Sequence, residues 1–354
     1  MLKILDKIVF LITLAAMLGL LGAYASHYIN PNTFSLPALL GLAYPYLLIT
    51  NLLLLLYWIG RWKQTAWLEI IVITLGYPTF TTYYGTADTA PKEERYDLSL
   101  MSYNVRYFDV YNWSNQKDTK EKLFQYLNNF NGDIICLQEF ATRENTPVSK
   151  DVAASLSLFP HRYIYKDMAI FSRLPLFNKG RIEFDSPSAS ALYCDIAKGK
   201  DTIRLYSVHL ESYQLGKKER QFVREISAGM KKEELSEGAR NIAKRLTAAN
   251  KNRALQAEQI HRHIRNSPYQ VIACGDFNDT PLSYTYREMK KGLRDAFTER
   301  GRGLGNTYIG EFPSFRIDYI FHTPAIKTVS YTRDTICLSD HYPIEAKLKF
   351  GKIL

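Results

Sequence analysis

Three dense apolar runs precede Tyr84, whereas apolar and polar residues alternate over short stretches after Pro91. The first run, Ile8 to Tyr28, has no charged residue and one histidine near its end. At about 1.5 Å rise per residue, its length matches the roughly 30 Å hydrocarbon layer of a bilayer. The second, Pro37 to Ile59, carries Asn51 among leucines, which is tolerable where the amide finds a partner on a neighbouring helix. The third, Ala66 to Tyr84, is interrupted by Glu69 and Pro78, yet Trp58, Trp62, Trp67, Tyr77, Tyr83 and Tyr84 crowd its ends as interfacial anchors do. The pattern predicts three transmembrane helices over 8–28, 37–59 and 66–84. A cleaved signal peptide ending near Ala23 and Ala25 competes with the first, but its apolar stretch is long and a second follows at once.

Lys3 and Lys7 precede the first run, Arg61 and Lys63 lie between the second and third, and residues 29–36 carry no charge. The positive-inside rule therefore puts the N-terminus and the Arg61 turn in the cytoplasm. Three crossings leave everything after Tyr84 outside; two would leave it inside. The expectation is an integral protein of the plasma or inner membrane, with its large domain extracytoplasmic.

A polar linker over 85–97 leads to that domain, 98–354. Strand patterns fall at 98–105, 133–138, 161–166, 168–173, 191–197, 202–210, 269–277, 316–322 and 342–350. Helical patterns fall at Thr119–Asn128, at Gly216–Lys232 and at Ser236–Arg265. In the last, Ile242, Leu246, Ala249, Arg253, Ala257, Ile260 and Ile264 recur at three-or-four spacing beside a basic outer face. Many strands with few long helices predict a mixed α/β two-sheet architecture and not a Rossmann alternation.

The 354-residue composition, 46% hydrophobic and 23% charged, excludes a mainly disordered chain. Four cysteines without a CxxC pair give neither a zinc-ribbon nor a thioredoxin signal. The first 91 residues hold 4 Lys plus Arg against 3 Asp plus Glu, leaving 41 against 32, a net +9, on the remaining 263. The basic excess therefore belongs to the large domain, where it favours anionic ligands: nucleic acid, phosphoinositides or an acidic membrane surface.

Several strands finish in polar groups that a core has no reason to keep. These are Asn104 in MSYNVR, Glu139 in IICLQE, His209 in YSVHLES, Asp276 and Asn278 in VIACGDFND, Asp318 in RIDYIF, and Asp340 with His341 in CLSDHYPI. One such residue is an ordinary turn former. Together they are the parts of an oxygen-ligated metal site flanked by acid/base groups. Glu139 with Asp340 or Asp276 suits Mg2+ or Mn2+; zinc lacks a thiolate cluster or HExxH. His341 is the best acid/base group if Asp318 fixes its tautomer. No GxSxG elbow supports a serine hydrolase.

The ordered fragments SYNVR, ICLQE, SVHLES, GDFND, RIDYIF and SDHYPI, between about Leu98 and Lys349, resemble the endonuclease/exonuclease/phosphatase superfamily. The resemblance implies a four-layer α/β/β/α sandwich of the DNase I type with the site at one edge. It implies that Glu139 binds the metal and that Asn104 helps to order it. It implies that His209 contacts the scissile phosphate or leaving group, while Asp276 and Asn278 surround the attacking water and phosphate. Asp318 would orient a histidine, and Asp340 with His341 would form the terminal pair. The implied reaction is in-line attack of water on phosphorus. Many abasic-site members carry an acidic residue where this chain has Arg106, which here suits substrate phosphate and speaks against DNA repair.

The expected activity is that of a metal-dependent phosphodiesterase or nuclease. The alternative is a sphingomyelinase-like or phosphoinositide-directed phospholipid hydrolase, and a more distant one is an inactive membrane-bound interaction module. The expected partners are an anionic phosphoester and the lipid bilayer, with no obligate protein partner. Blander roles attach to Cys136 and Cys274 as buried hydrophobes, to His261 and His263 as surface residues, and to Tyr103, Tyr107, Phe108, Tyr111 and Trp113 as packing.

Overall fold

The computed structural model describes residues 2–87, 94–110, 112, 114, 116, 118–140, 156–213, 232–310 and 314–351. The expected helix at Gly216–Lys232, and Tyr111 and Trp113 of the aromatic cluster, lie outside these residues apart from Lys232. The chain divides into two compact units. One holds Met1–Thr82, Tyr213–Ala257 and Asp279–Glu288; the other holds Tyr83–Ser212, Glu258–Asn278 and Met289–Leu354.

In the first unit, helix α1 (Leu2–Ala25) is long and apolar enough to cross a membrane. The second apolar run is a bent pair, α2 (Leu36–Leu42) and α3 (Tyr44–Gly60), at 72° to each other. Pro45, at the start of α3, has no N–H to carry the helix ladder across the break. The third run forms α4 (Thr65–Leu75) and α5 (Tyr77–Tyr83), divided at Gly76 with Pro78 just beyond. Polar ties cross between the helices. Arg61 donates to both carboxylate oxygens of Asp6 at 3.1 and 3.0 Å, Trp58 Nε1 to Thr13 at 2.8 Å, and Asn51 to the Ala16 carbonyl at 3.2 Å. Asn51 thus has its partner on a neighbouring helix, where leaving it unbonded in an apolar layer would be costly.

The second unit holds two six-stranded mixed sheets. The first runs β13 (Ile326–Arg333), β14 (Ile344–Phe350), β2 (Leu98–Asn104), β3 (Ile134–Gln138), β5 (Met168–Ser172), β4 (His161–Tyr165). The second runs β10 (Arg294–Asp295), β12 (Asp318–His322), β9 (Gln270–Asp276), β8 (Asp201–His209), β7 (Ser190–Lys198), β6 (Leu176–Ile182). A short pair, β1 (Tyr84–Thr86) with β11 (Arg302–Leu304), lies apart from them. Helix α6 (Thr119–Asn129) buries Leu123 and Leu127 with Met101, Ile135 and Phe171 of the first sheet. The last residues of helix α7 (Lys232–Arg265), from Glu258 on, belong to this unit and bring His263 Nδ1 to 2.8 Å from the Tyr206 hydroxyl on β8. Two sheets flanked by helices are the expected α/β sandwich.

Strand periodicity explains where this core turns polar. Leu98, Leu100, Ile134, Cys136, Leu205, Ile272, Cys274 and Ile320 pack in one buried cluster between the sheets. Continuing each strand by steps of two reaches Ser102, Gln138 and Ser207, then Asn104, His209 and Asp276. The middle layer is bonded across the gap, Gln138 Nε2 reaching Ser207 Oγ at 3.4 Å. The last layer is the edge of the sandwich. Gly275 lies just beneath it with φ of 143°, and a Cβ there would meet the Val208 carbonyl oxygen at 1.9 Å, so only glycine lets β8 and β9 converge under Asp276.

Candidate active site

Pairing register sets the site. Parallel β8 and β9 place His209 opposite Asp276, and antiparallel β12 places Asp318 opposite Asp276 from the other side. Three side chains predicted from separate motifs thus occupy one row across three strands. In the other sheet, parallel β2 and β3 align Asn104 with Gln138, and the chain then turns at Glu139 with φ of 49°. The two sheets meet at Asn104, whose Nδ2 donates to Glu139 Oε1 at 3.1 Å and to Asp276 Oδ2 at 3.0 Å.

His341 arrives on the loop before β14. Its Nδ1 lies 2.9 Å from Asp318 Oδ2 and its Nε2 3.6 Å from Asp276 Oδ2. Thr307 Oγ1 accepts from the amides of Ile317 and Asp318 at 3.0 and 3.1 Å, and Tyr308 presents its ring edge-to-face to His341 at 5.2 Å. Ser339 Oγ donates to the Asn104 carbonyl at 2.8 Å, tying this loop to β2. Asp340 faces Arg106, with Nε 3.3 Å from Oδ2, while the Arg106 amide donates to Asn104 Oδ1 at 3.0 Å. Asn278 is a clamp: its amide N–H donates to Asp276 Oδ1 at 2.8 Å and its side chain to the Leu210 carbonyl at 2.9 Å.

His209 is held differently. Its Nε2 stands 3.9 Å from Glu139 and 4.0 Å from Asp276, its Nδ1 3.4 Å from Asp167, and neither nitrogen has an aligned hydrogen bond. Burial disfavours its charged form, but Asp167, Asp276 and Glu139 outweigh that and raise it to about 9. Burial likewise opposes protonation of His341, and Asp318 and Asp276 overcome it, holding it well above the usual histidine range. Desolvation pushes Glu139 up, and the like charge of Asp340 adds to the effect. Desolvation also raises Asp276, with both histidines opposing.

All eight motif residues, with Arg106, lie in the same unit, and these contacts join them into one cluster. Asp167, Ser339, Thr307 and Tyr308 escaped the sequence reading. Asp167, in the tight turn YKDM between β4 and β5, looks like a generic turn residue; Thr307 and Tyr308 precede the RIDYIF motif with no charge to mark them. Among the described residues, Asp276, Asp318 and His341 offer ligand atoms within 4.8 Å of one another. Asp318 and His341 are already bonded together, however. Glu139, held by Asn104, and Asp340, facing Arg106, add two further carboxylates to the cluster, and oxygen donors of this kind suit a hard divalent cation.

A model of the Endonuclease/Exonuclease/phosphatase family matches residues 101–341, and one for a domain of unknown function matches residues 6–83. No curated protein matches the chain. Among solved structures, an endonuclease/exonuclease/phosphatase from Bacteroides vulgatus is 17% identical with a TM-score of 0.54, over 73% of this chain and 100% of its own. D. rerio TDP2 complexed with single strand DNA product is also 17% identical, TM-score 0.52, over 71% and 98%. The human Nocturnin catalytic domain with bound sulfate is 14% identical, TM-score 0.51, over 72% and 94%. These likenesses are of fold; with the family model, they establish that the chain belongs to the endonuclease/exonuclease/phosphatase family.

Proposed function

We propose that the protein is a divalent-metal-dependent phosphodiesterase or nuclease working by direct attack of water on phosphorus. The observation that carries this reading is the Asn104 amide between Glu139 and Asp276, with a histidine on either side of Asp276. Glu139 and Asp340 would hold Mg2+ or Mn2+, which supplies charge withdrawal from a nonbridging oxygen. Asp276 accepts the proton of the attacking water. His341, fixed by Asp318, donates to the phosphoryl oxygens as charge develops, and His209 stabilises the departing oxygen and gives it a proton. The phosphorus–oxygen bond to water forms as the bond to the leaving alcohol breaks, and no covalent enzyme intermediate arises. Arg106 and Asn278 line the phosphate side.

The D. rerio TDP2 structure of the same fold holds a single strand DNA product, which supports a phosphodiester substrate. A phospholipid headgroup is the second reading, supported by the apolar α1. Ser26 and Asn32, at the end of α1 away from Lys3 and Lys7, bond the carbonyls of Leu282 and Lys251. With a cytoplasmic N-terminus and α1 spanning the bilayer, these segments of the first unit lie at the extracytoplasmic end of α1.

The test is turnover by the full chain in detergent, with Mg2+, Mn2+ or EDTA, of bis-p-nitrophenyl phosphate, plasmid DNA, RNA and sphingomyelin vesicles. Metal-dependent cleavage of the model ester is expected, and the preferred natural substrate chooses between the readings. No cleavage of any ester by folded protein would reject them.

A further inference from the structure

We propose that the turn joining α1 to α2 is a positioning device for the segment that follows Asn278, so that the apolar N-terminal region acts on catalysis as well as on location. The inference rests on the hydrolase reading and concerns contacts inside the first unit alone. Ser26 is buried at the end of α1, and its hydroxyl lies 2.8 Å from the Leu282 carbonyl and 2.7 Å from the Ala23 carbonyl, which share its one proton. Two residues on, the Tyr28 ring receives the Arg287 guanidinium at 5.2 Å. Asn32 donates to the Lys251 carbonyl of α7 at 3.0 Å.

From α7, Arg253 carries the brace onward. Its guanidinium is fully buried, 3.1 Å from Asp279 Oδ2, and lies 4.4 Å from the centre of the Tyr213 ring. Asp279 follows Asn278 directly, and Tyr213 comes four residues after His209. The segment is thus held at its start by α7 and further along by the α1 turn, while Leu282 and Tyr286 are buried between those ties. A cation–aromatic contact and a buried hydroxyl bond are specific couplings that a simple tether has no need of. Upstream the segment continues directly from Asn278, which holds a φ of 53° that asparagine adopts readily and whose amide bonds Asp276, so slack in the segment passes into the clamp on the proposed base.

The experiment uses the full chain in detergent micelles with bis-p-nitrophenyl phosphate, a soluble ester that needs no membrane presentation. Ser26→Ala with Tyr28→Ala is expected to lower kcat about tenfold and leave KM within about twofold, the signature of misplaced groups and not of lost binding. Tyr28→Phe keeps the ring over Arg287 and is expected to match the wild type. Hydrogen exchange provides a readout independent of turnover: amides in 279–288 speed up in the double variant while those of β9 do not. Unchanged kcat with unchanged exchange overturns the proposal. Faster exchange across β9 as well also overturns it, because the turn would then be general support. If the wild-type protein fails to cleave the ester, the hydrolase reading falls, and the exchange result still decides whether the brace exists.

Discussion

The two histidines beside Asp276 are held in opposite ways. His341 has one nitrogen bonded to Asp318 at 2.9 Å, with an aromatic ring against it and a threonine fixing the amide of its carboxylate partner. His209 stands among three carboxylates at 3.4–4.0 Å, with no aligned bond to any of them. A side chain whose orientation is fixed in advance suits a role in which proton direction matters. One fully buried with unmet donors suits a role completed by an incoming anion. In the proposed reaction the difference suits His341 to the phosphoryl oxygens and His209 to the departing oxygen.

A third histidine supplies the control. His322 Nε2 is 2.7 Å from Thr328 Oγ1 and 3.2 Å from Glu299, on the same sheet but at the far end of β12 from Asp318. This pair has the chemistry of a catalytic dyad without its location.

The comparison can be broken by substitution. His341→Gln should lower kcat by roughly 10² to 10³, the range for removing a donor to charge that develops in the transition state. His209→Gln should cost about 10², and the loss should shrink for an ester whose leaving group needs no proton, measured by comparing alkyl and p-nitrophenyl esters. Equal losses on both esters would erase the division of labour. Asp318→Asn should outweigh Asp167→Asn, about 10² against about tenfold, because only Asp318 makes a close bond to its histidine. Steady-state kinetics of the two variants in parallel check this.

The smallest effect is expected at the control. Burial works against ionised Glu299, but hydrogen bonds from His322 and Thr328 and the His322 charge prevail and hold it down at about 2. A depressed carboxylate stabilises the fold fully above its unfolded value of about 4.5, and that stability is lost as pH falls through about 2. Glu299→Gln should therefore cost about 1 kcal/mol at neutral pH, the screened value for a partly exposed pair. It should flatten the acid limb of thermal unfolding while leaving kcat unchanged.

The parts of this molecule legible in its sequence are those where one periodicity governs. The strands carrying Asn104, His209 and Asp276 are apolar until their last inward position, so the break in pattern announces the site edge. Two edge strands, β6 and β13, carry no such signal. β6 reads LFNKGRI, and its register shifts between Phe177 and Gly180; β13 shifts likewise between Thr328 and Ser330. An edge strand bonds on one side only, so it tolerates interruptions that hide its period. The third apolar run reads as one span by composition, but the helix is divided at Gly76, a feature of backbone and not of hydropathy. Asp167 was invisible because its value arises from proximity to His209, far along the chain.

Asn104 bonds a carboxylate from each sheet with one nitrogen, so the spacing between the sheets and the spacing between those carboxylates are a single dimension. That dimension is set below by the side chains packed in the gap, where the Cys136 thiol meets that of Cys274. The interior works as a shim under the chemistry. A methyl group added or removed there is expected to retune the distance from Glu139 to Asp276 without touching either residue, so that the proposed chemistry would inherit variation from positions that no substrate ever sees.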